Sequence, residues 1–353
     1  MFDICLISEW ELEKVRQAAC DWDTCWAWHD PVLQVARAQW RNTTDLGFLV
    51  LDKTRGDKIL AIVPLVLVLP HKFSTLTGGY LESTGGPAID PNLPAKTVGK
   101  TWRTILAHFK DTAKNFGSRR LDISCPPLSR SQLLAQKAIV NPLCHLPVSD
   151  SSSQTWILQL DDKSEDDLWR NLEHRSRKQI NKGRRQELSH EWIKPSPKLL
   201  ETYVALHEQT CKRNKIPSHP EGYFLQIFGR ISADGLARTG IIRCKSKVIA
   251  IQNFLRWQDT ALYWTTACED QALQLCANDF GMWHAILALK REGVVWLECG
   301  EAFPGAQSGK LKGLNDFKKS FGGTLYPYFR GTMNTRPVIE SIFNVIRHLR
   351  KGC

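Results

Sequence analysis

Three groups of residues in this chain have the types and spacing to do chemistry. The first is cationic. Arg170, Arg175, Arg177, Lys178, Lys182, Arg184 and Arg185 place seven positive charges within sixteen residues, with Glu173 the one acid among them. Such a run can bind phosphates, and the same charges also read as a solvated helix face. The second group lies around the loop Asn214-Lys-Ile-Pro-Ser-His-Pro-Glu-Gly222. His219 could act as a base, since the imidazole is the side chain suited to proton transfer near neutral pH, although a histidine between two prolines also suits a plain surface loop. Arg213, just before the loop, could grip an anion or simply end an exposed helix. The third group is acidic: Glu298 closes an apolar, strand-like run and Glu301 follows it. A carboxylate there could take a proton from an ammonium or bind an amine; for Glu298 a structural ion pair fits as well. Glu269 is a weaker candidate of the same kind. No His, Cys and carboxylate set has metal-ligand spacing, so no metal is expected.

The elements that must position these residues are clearest after a Ser-rich stretch, Pro147-Val-Ser-Asp-Ser-Ser-Ser-Gln154, which reads as a boundary. Trp156–Leu160 reads as a strand. Ser164 and Asp167 form an S-x-x-D helix start, and that helix is expected to run to about Lys182 and stop at Gly183. A second helix is expected from Pro197 to about Arg213, and a short one over Tyr223–Ile231. Strands follow over Thr239–Cys244, Val248–Trp257 and Leu262–Cys268. Next come a helix from Asn278 to Glu292 ended by Gly293, a strand Val294–Cys299, a short helix Gly313–Ser320 and a last strand Thr324–Phe329. The first half reads as a blurred version of the same order: helices over 8–20 and 29–42, strands Gly47–Asp52 and Ile59–Val68, a long helix Ala95–Phe116, a strand Arg120–Ser124 and a helix Ser129–Lys137. That order suggests a structural duplication.

Composition narrows the class. The 353 residues are 24% charged and 42% hydrophobic, which excludes a disordered or fibrous chain. The longest apolar stretch, Ile59 to Pro70, is too short to span a bilayer and reads as a buried strand. Asp3, Glu9, Glu11 and Glu13 leave no basic n-region, so no secretory signal is expected. Eleven cysteines, an odd count without a CxxC pair, fit reduced thiols in a cytoplasmic protein better than a disulfide framework or zinc ribbon. The net charge is +11, and it is uneven. Residues 1–150 hold 17 basic and 15 acidic side chains, against 30 and 21 over residues 151–353. A basic second half suits an anionic partner such as a nucleotide, RNA or a phospholipid surface, or a merely basic protein.

Four segments, taken in order, resemble the GNAT superfamily, and within it the FemAB-like branch with two tandem GNAT domains. Asp167-Leu-Trp-Arg-Asn-Leu-Glu-His-Arg-Ser-Arg-Lys-Gln-Ile180 resembles the family's W-x-x-L…R-x-x-I-x-K helix. Cys211-Lys-Arg-Asn-Lys-Ile-Pro-Ser-His-Pro-Glu-Gly-Tyr-Phe224 resembles its acceptor loop. Tyr263-Trp-Thr-Thr-Ala267, Asn278, Gly293 and Trp296-Leu-Glu-Cys-Gly300 resemble its central strand–helix–strand. Gly313-Leu-Asn-Asp-Phe-Lys-Lys-Ser-Phe-Gly-Gly323 resembles the G-L-x-x-F-K-x-x-F-G signature and is the most specific of the four. The match covers residues 155–329, with a weaker one before 150.

The resemblance implies an α/β protein of two tandem GNAT-like domains, each a mixed central sheet flanked by helices, with the cleft between them and built mainly from the second. The domains would span 1–150 and 151–330, followed by an amphipathic helix over 331–353. The implied activity is transfer of an acyl or aminoacyl group from acyl-CoA or aminoacyl-tRNA to an amine, with no tightly bound cofactor and no DNA partner. Lys318 would steady the oxyanion and Glu298 would assist. Cys276, Ala277, Asn278, Thr265, Arg175 and Lys178 would hold the carrier; Arg213, His219, Tyr223 and Glu301 would place the acceptor. Asn278 also reads as a plain N-cap. The preceding Asp270-Gln-Ala-Leu-Gln-Leu-Cys-Ala277 lacks the Q/R-x-x-G-x-G/A phosphate loop, which weakens the case for CoA. The rival reading is a catalytically degenerate GNAT-like protein bound to RNA or an anionic membrane. The tail, Pro337 to Lys351, could touch a membrane or dock on its own domain.

Overall fold

In a computed structural model that describes residues 2–40, 42–69, 78–134 and 140–341, the chain forms two units. Unit 1 takes the residues up to Ser152 and those from Tyr328 on; unit 2 is Ser153–Pro327. Each alternates strands and helices, as the periodicities in the sequence imply.

Unit 1 contains strands β1 (Phe2–Leu6), β2 (Thr43–Asp45), β3 (Phe48–Asp52), β4 (Lys58–Val63), β5 (Val66–Val68), β6 (Tyr80–Thr84), β7 (Ala88–Ile89), β8 (Arg120–Cys125) and β9 (Ser149–Asp150). Its helices are α1 (Leu12–Asp21), α2 (Pro31–Ala38), α3 (Ala95–Asn115) and α4 (Arg130–Leu134). β1-β3-β4-β7 form one antiparallel sheet, and β2-β5-β6-β8 run in order through another. Phe48, Leu60, Leu81, Phe109 and Leu121 share one core.

The single strand expected over Ile59–Val68 is two. Proline has no N–H to give a ladder, and the chain changes sheets at Pro64. The Pro64 carbonyl instead accepts from Ser83 Oγ at 2.5 Å. β1, β2, β6, β7 and β9 are short or half-polar and were not foreseen. Of the helix expected over Ser129–Lys137, residues 135–137 lie outside the described residues.

Unit 2 runs β10 (Ser153–Gln159), α5 (Glu165–Asn171), α6 (His174–Arg185), β11 (Leu188–Ile193), α7 (Leu200–Asn214), α8 (Glu221–Gln226), β12 (Ala237–Cys244), β13 (Lys247–Trp257), β14 (Thr260–Cys268), α9 (Asp270–Gln274), α10 (Ala277–Arg291), β15 (Trp296–Ala302) and α11 (Gly309–Lys319). Its sheet order is β11-β12-β13-β14-β15-β10. Leu158, Phe254, Trp283, Leu289 and Leu297 fill its core. A last strand, β16 (Thr324–Asn334), pairs with β8 from Phe329 onward.

Three departures from expectation have physical causes. The helix started by the Ser164–Asp167 capping box breaks at Leu172 and Glu173, both extended, because Glu173 N–H donates to Ser320 O at 2.9 Å. Gly183 does not stop the second piece. It lies inside α6, where a Cβ would stand 2.9 Å from Phe280 Cβ, so the glycine lets α6 approach α10 closely. β11 went unread because His190 and Glu191 blur its alternation; it pairs antiparallel with β12 along its whole length.

Residues 337–341 are helical, and Glu340, 4% exposed, accepts from Arg119 Nε at 2.6 Å and Arg120 Nη1 at 2.8 Å. The start of the tail is thus tied to unit 1; residues 342–353 lie outside the described residues. Among the described residues no helix is long and apolar enough to cross a membrane.

Candidate active site

The site in unit 2 begins with a short pairing. β14 and β15 are parallel, but only Thr260–Leu262 and Trp296–Glu298 pair. β14 continues to Cys268 and β15 to Ala302 without further pairing to each other, so the two strands part. α10 follows β14 and α11 follows β15, and the candidate residues stand on these elements.

Lys318, near the end of α11, turns back to β15. Its Nζ donates to Glu301 O at 2.8 Å and lies 5.3 Å from the Phe303 ring centroid. Gly300 makes room for it: at φ +102, a Cβ there would meet Lys318 Nζ at 3.0 Å and Cε at 3.2 Å. α11 is held in turn by Asn315, whose Oδ1 accepts from Trp156 Nε1 at 3.2 Å and from Phe303 N–H at 3.0 Å. Phe317 packs on Phe321 and Tyr263. Burial pushes the Lys318 ammonium below its ordinary pKa, opposed by Cys299, Glu301 and Glu298. The result is an ammonium in a poorly hydrated place with one backbone bond fixing it.

Glu298 is 3% exposed, and its Oε1 accepts from Thr155 Oγ1 at 2.7 Å. Its neighbour Cys299 is buried, and burial pushes that thiol far above its usual value. Glu301 is half-buried and meets Lys318 through its carbonyl.

Among the residues expected to hold the carrier, Cys276 occupies the left-handed region at φ 60 and opens α10. Its Sγ donates to Gln179 Oε1 of α6 at 2.6 Å. Ala277 is buried, and Asn278 O accepts from Gln252 Nε2 at 3.1 Å. Arg175 and Lys178 are exposed on α6, and Arg175 acts electrostatically on Asp279 in the first turn of α10. Asp279 was not singled out in the sequence. It is 9% exposed, and burial raises its carboxyl to about 6, against the lowering pull of Arg175. The segment before α10, read from the sequence as a loop without the phosphate-binding pattern, contains the helical turn α9. Thr265, on β14, accepts from Asn253 Nδ2 at 3.1 Å.

Of the residues expected to place an acceptor, His219 and Tyr223 fall into an aromatic group. His219 and Tyr223 lie 5.9 Å apart, and Tyr223 meets Trp264 edge-on at 5.9 Å. The loop is pinned by a residue that sequence reading passed over: His207, on α7, accepts His219 N–H at its Nε2, 3.1 Å away. Arg213 does not reach toward this group. It is spent on Asp270 at 2.6 Å and Cys268 O at 3.2 Å, tying α7 to the end of β14. The structure therefore brings Lys318, Glu298 and Glu301 together, gathers His219 with Tyr223, and places Arg213 in a structural bond. Gly300 was the missed residue with a visible signal, a glycine between Cys299 and Glu301 at a strand end.

Residues 170–319 match the acetyltransferase (GNAT) domain family. No curated protein matches the chain. Among solved structures it is similar to the crystal structure of FemX, at 12% identity over 93% of this chain and 96% of that one, with a TM-score of 0.64. It is also similar to the C-terminal DUF2156 domain of a putative lysylphosphatidylglycerol synthetase from Agrobacterium fabrum: 12% identity, 95% of each chain, TM-score 0.57. The tandem GNAT protein from the clavulanic acid biosynthesis pathway gives 12% identity over 95% and 98%, with a TM-score of 0.53. At such identities the likeness is one of fold.

Proposed function

We propose that this chain, a GNAT-superfamily protein with the tandem fold of the FemAB-like branch, is an N-acyltransferase. It moves an acyl or aminoacyl group from an activated carrier to an amine. The observation that carries the reading is Lys318: a half-buried ammonium inside the matched domain, fixed at 2.8 Å on Glu301 O and given space by Gly300.

The chemistry follows from that placement. The neutral amine attacks the carbonyl carbon of the ester or thioester, and the carbonyl electron pair moves to oxygen. Lys318 offsets that negative charge, which in a poorly hydrated site is worth more than in water. Collapse expels the alkoxide or thiolate of the carrier, which takes up a proton, and the amine proton leaves to solvent or to a base on the acceptor side, for which His219 is the candidate. Glu298 is too buried to touch an acceptor; it acts through its field, keeping Lys318 charged against desolvation.

For the carrier, Asp279 supports aminoacyl-tRNA over acyl-CoA. A pyrophosphate at the α10 N-terminus would meet a buried carboxyl in the first turn and no phosphate loop before it. The cations Arg175, Lys178 and Lys182 on α6 suit a longer polyanion. The test is a carrier panel on the full chain: thermal shift with acetyl-CoA, and gel shift with charged and uncharged tRNA at two salt concentrations. Tighter binding of charged tRNA, weakened by salt, supports this reading. A shift with acetyl-CoA alone transfers the same Lys318 chemistry to a CoA carrier. Binding of neither leaves the degenerate binding protein as the better description.

A further inference from the structure

We propose that unit 1 holds a small-molecule site of its own, for an uncharged ligand that carries an aromatic ring. A cavity of about 410 Å³ is walled by Trp26, Trp28 and Trp102 with Ile89 and Val98, all from unit 1. That volume falls in the range of ligand pockets, roughly 300–1,000 Å³. The inference stands whether or not the transfer reading of unit 2 holds.

The walls are built before any ligand arrives. Trp26 and Trp28 meet edge-to-face at 5.6 Å, and Trp102 is stacked by His145 at 5.0 Å and 25°. His29, 2% exposed, struts the Trp26–Trp28 segment. Its Nδ1 accepts Trp26 N–H at 3.0 Å, so its Nε2 carries the proton and donates to Gly86 O at 3.0 Å. Burial lowers this imidazole to about 4, so the ring is a neutral strut. Gly85 lets the strand end press on the same wall: at φ +106, a Cβ there would meet Trp28 Cβ at 2.9 Å.

Charge selects the ligand class. No Lys or Arg lines the cavity among the described residues. The lining carboxylate, Asp90, is spent on Lys58 at 2.8 Å and on Asn92 N–H at 2.9 Å. A phosphate or carboxylate would enter without a countercharge, whereas an aromatic ring gains edge and face contacts with three indoles. Cys125 on the wall is inert, because burial pushes its thiol up to about 12.

The test uses the full chain, calorimetry, indole as the probe and CoA as a polyanionic competitor. Indole should bind saturably. Val98→Trp, which fills the cavity from α3, should weaken indole at least tenfold with an unchanged melting temperature, and Trp28→Leu should weaken it as well. If Val98→Trp does not fold, Val140→Trp at the exposed rim carries the same reading. The proposal is overturned if indole fails to bind at millimolar concentration, if it binds the filled variant as well as the native chain, or if CoA displaces it.

Discussion

Gly300→Ala perturbs the site by displacing the ammonium while leaving it in the protein. The new methyl would stand 3.0 Å from Lys318 Nζ and 3.2 Å from Cε, where ordinary contacts begin at 3.4 Å. Relief requires the lysine tip to move by about 0.5 Å or more, which stretches its 2.8 Å bond to Glu301 O toward the limit for a hydrogen bond, about 3.2 Å. A misplacement of ~1 Å at a reacting centre can cost about 100-fold, so kcat should fall roughly 10- to 100-fold. The backbone pays separately: φ +102 is unfavourable for alanine, at about 1–3 kcal/mol. For a unit of this size that lowers the melting temperature by several degrees, at roughly 2–4 °C per kcal/mol. The assay is single-turnover transfer by the native chain, Gly300→Ala, Lys318→Ala and the double variant. Once Lys318 is gone, Gly300→Ala should have almost no further effect on the rate. An equal loss in both backgrounds would refute the argument, because the glycine would then act on something other than the ammonium.

Further outcomes follow from the same contacts. Asp279 has its folded pKa raised from 3.8 to about 6, so the folded chain binds the extra proton and stability falls as pH rises from about 4 to 6. Asp279→Asn should remove that slope in pH-dependent unfolding and stabilise the chain at pH 7 by up to ~3 kcal/mol, at about 1.4 kcal/mol per pKa unit. Gly183→Ala would drive a methyl to 2.9 Å from Phe280 Cβ and should cost about 1–3 kcal/mol in denaturant unfolding. Glu340→Ala leaves Arg119, itself 4% exposed, without its carboxylate, and should cost about 3–5 kcal/mol by the same measurement. His207→Ala releases the His219 N–H and should raise the KM for the amine acceptor more than it lowers kcat, which initial-rate kinetics separates.

Much of unit 2 is legible in its sequence because local signals and tertiary packing agree there. The Ser164–Asp167 capping box, the Lys245–Ser246 turn between β12 and β13 and Gly293 after α10 all act within a few residues. The failures are long-range. The break at Leu172 is set by Ser320, far along the chain, and Gly183 reads as a stop only while Phe280 is unseen. Lys318 was reached through a motif, but the reason it is fixed, Gly300 and the Glu301 carbonyl, is a tertiary fact. Arg213 shows the reverse: a cation beside a functional-looking loop is satisfied by Asp270, 57 residues later. Asp279 was missed because an acid in a first helical turn is ordinary, and only its burial makes it unusual.

The most direct measurement is the single-turnover rate of Lys318→Ala, with carrier affinity and melting temperature measured on the same preparation. Removing one preorganised oxyanion partner should cost about 100- to 1,000-fold in rate, while carrier affinity and melting temperature stay near those of the native chain. A rate unchanged from the native chain would contradict the account and remove Lys318 from the chemistry.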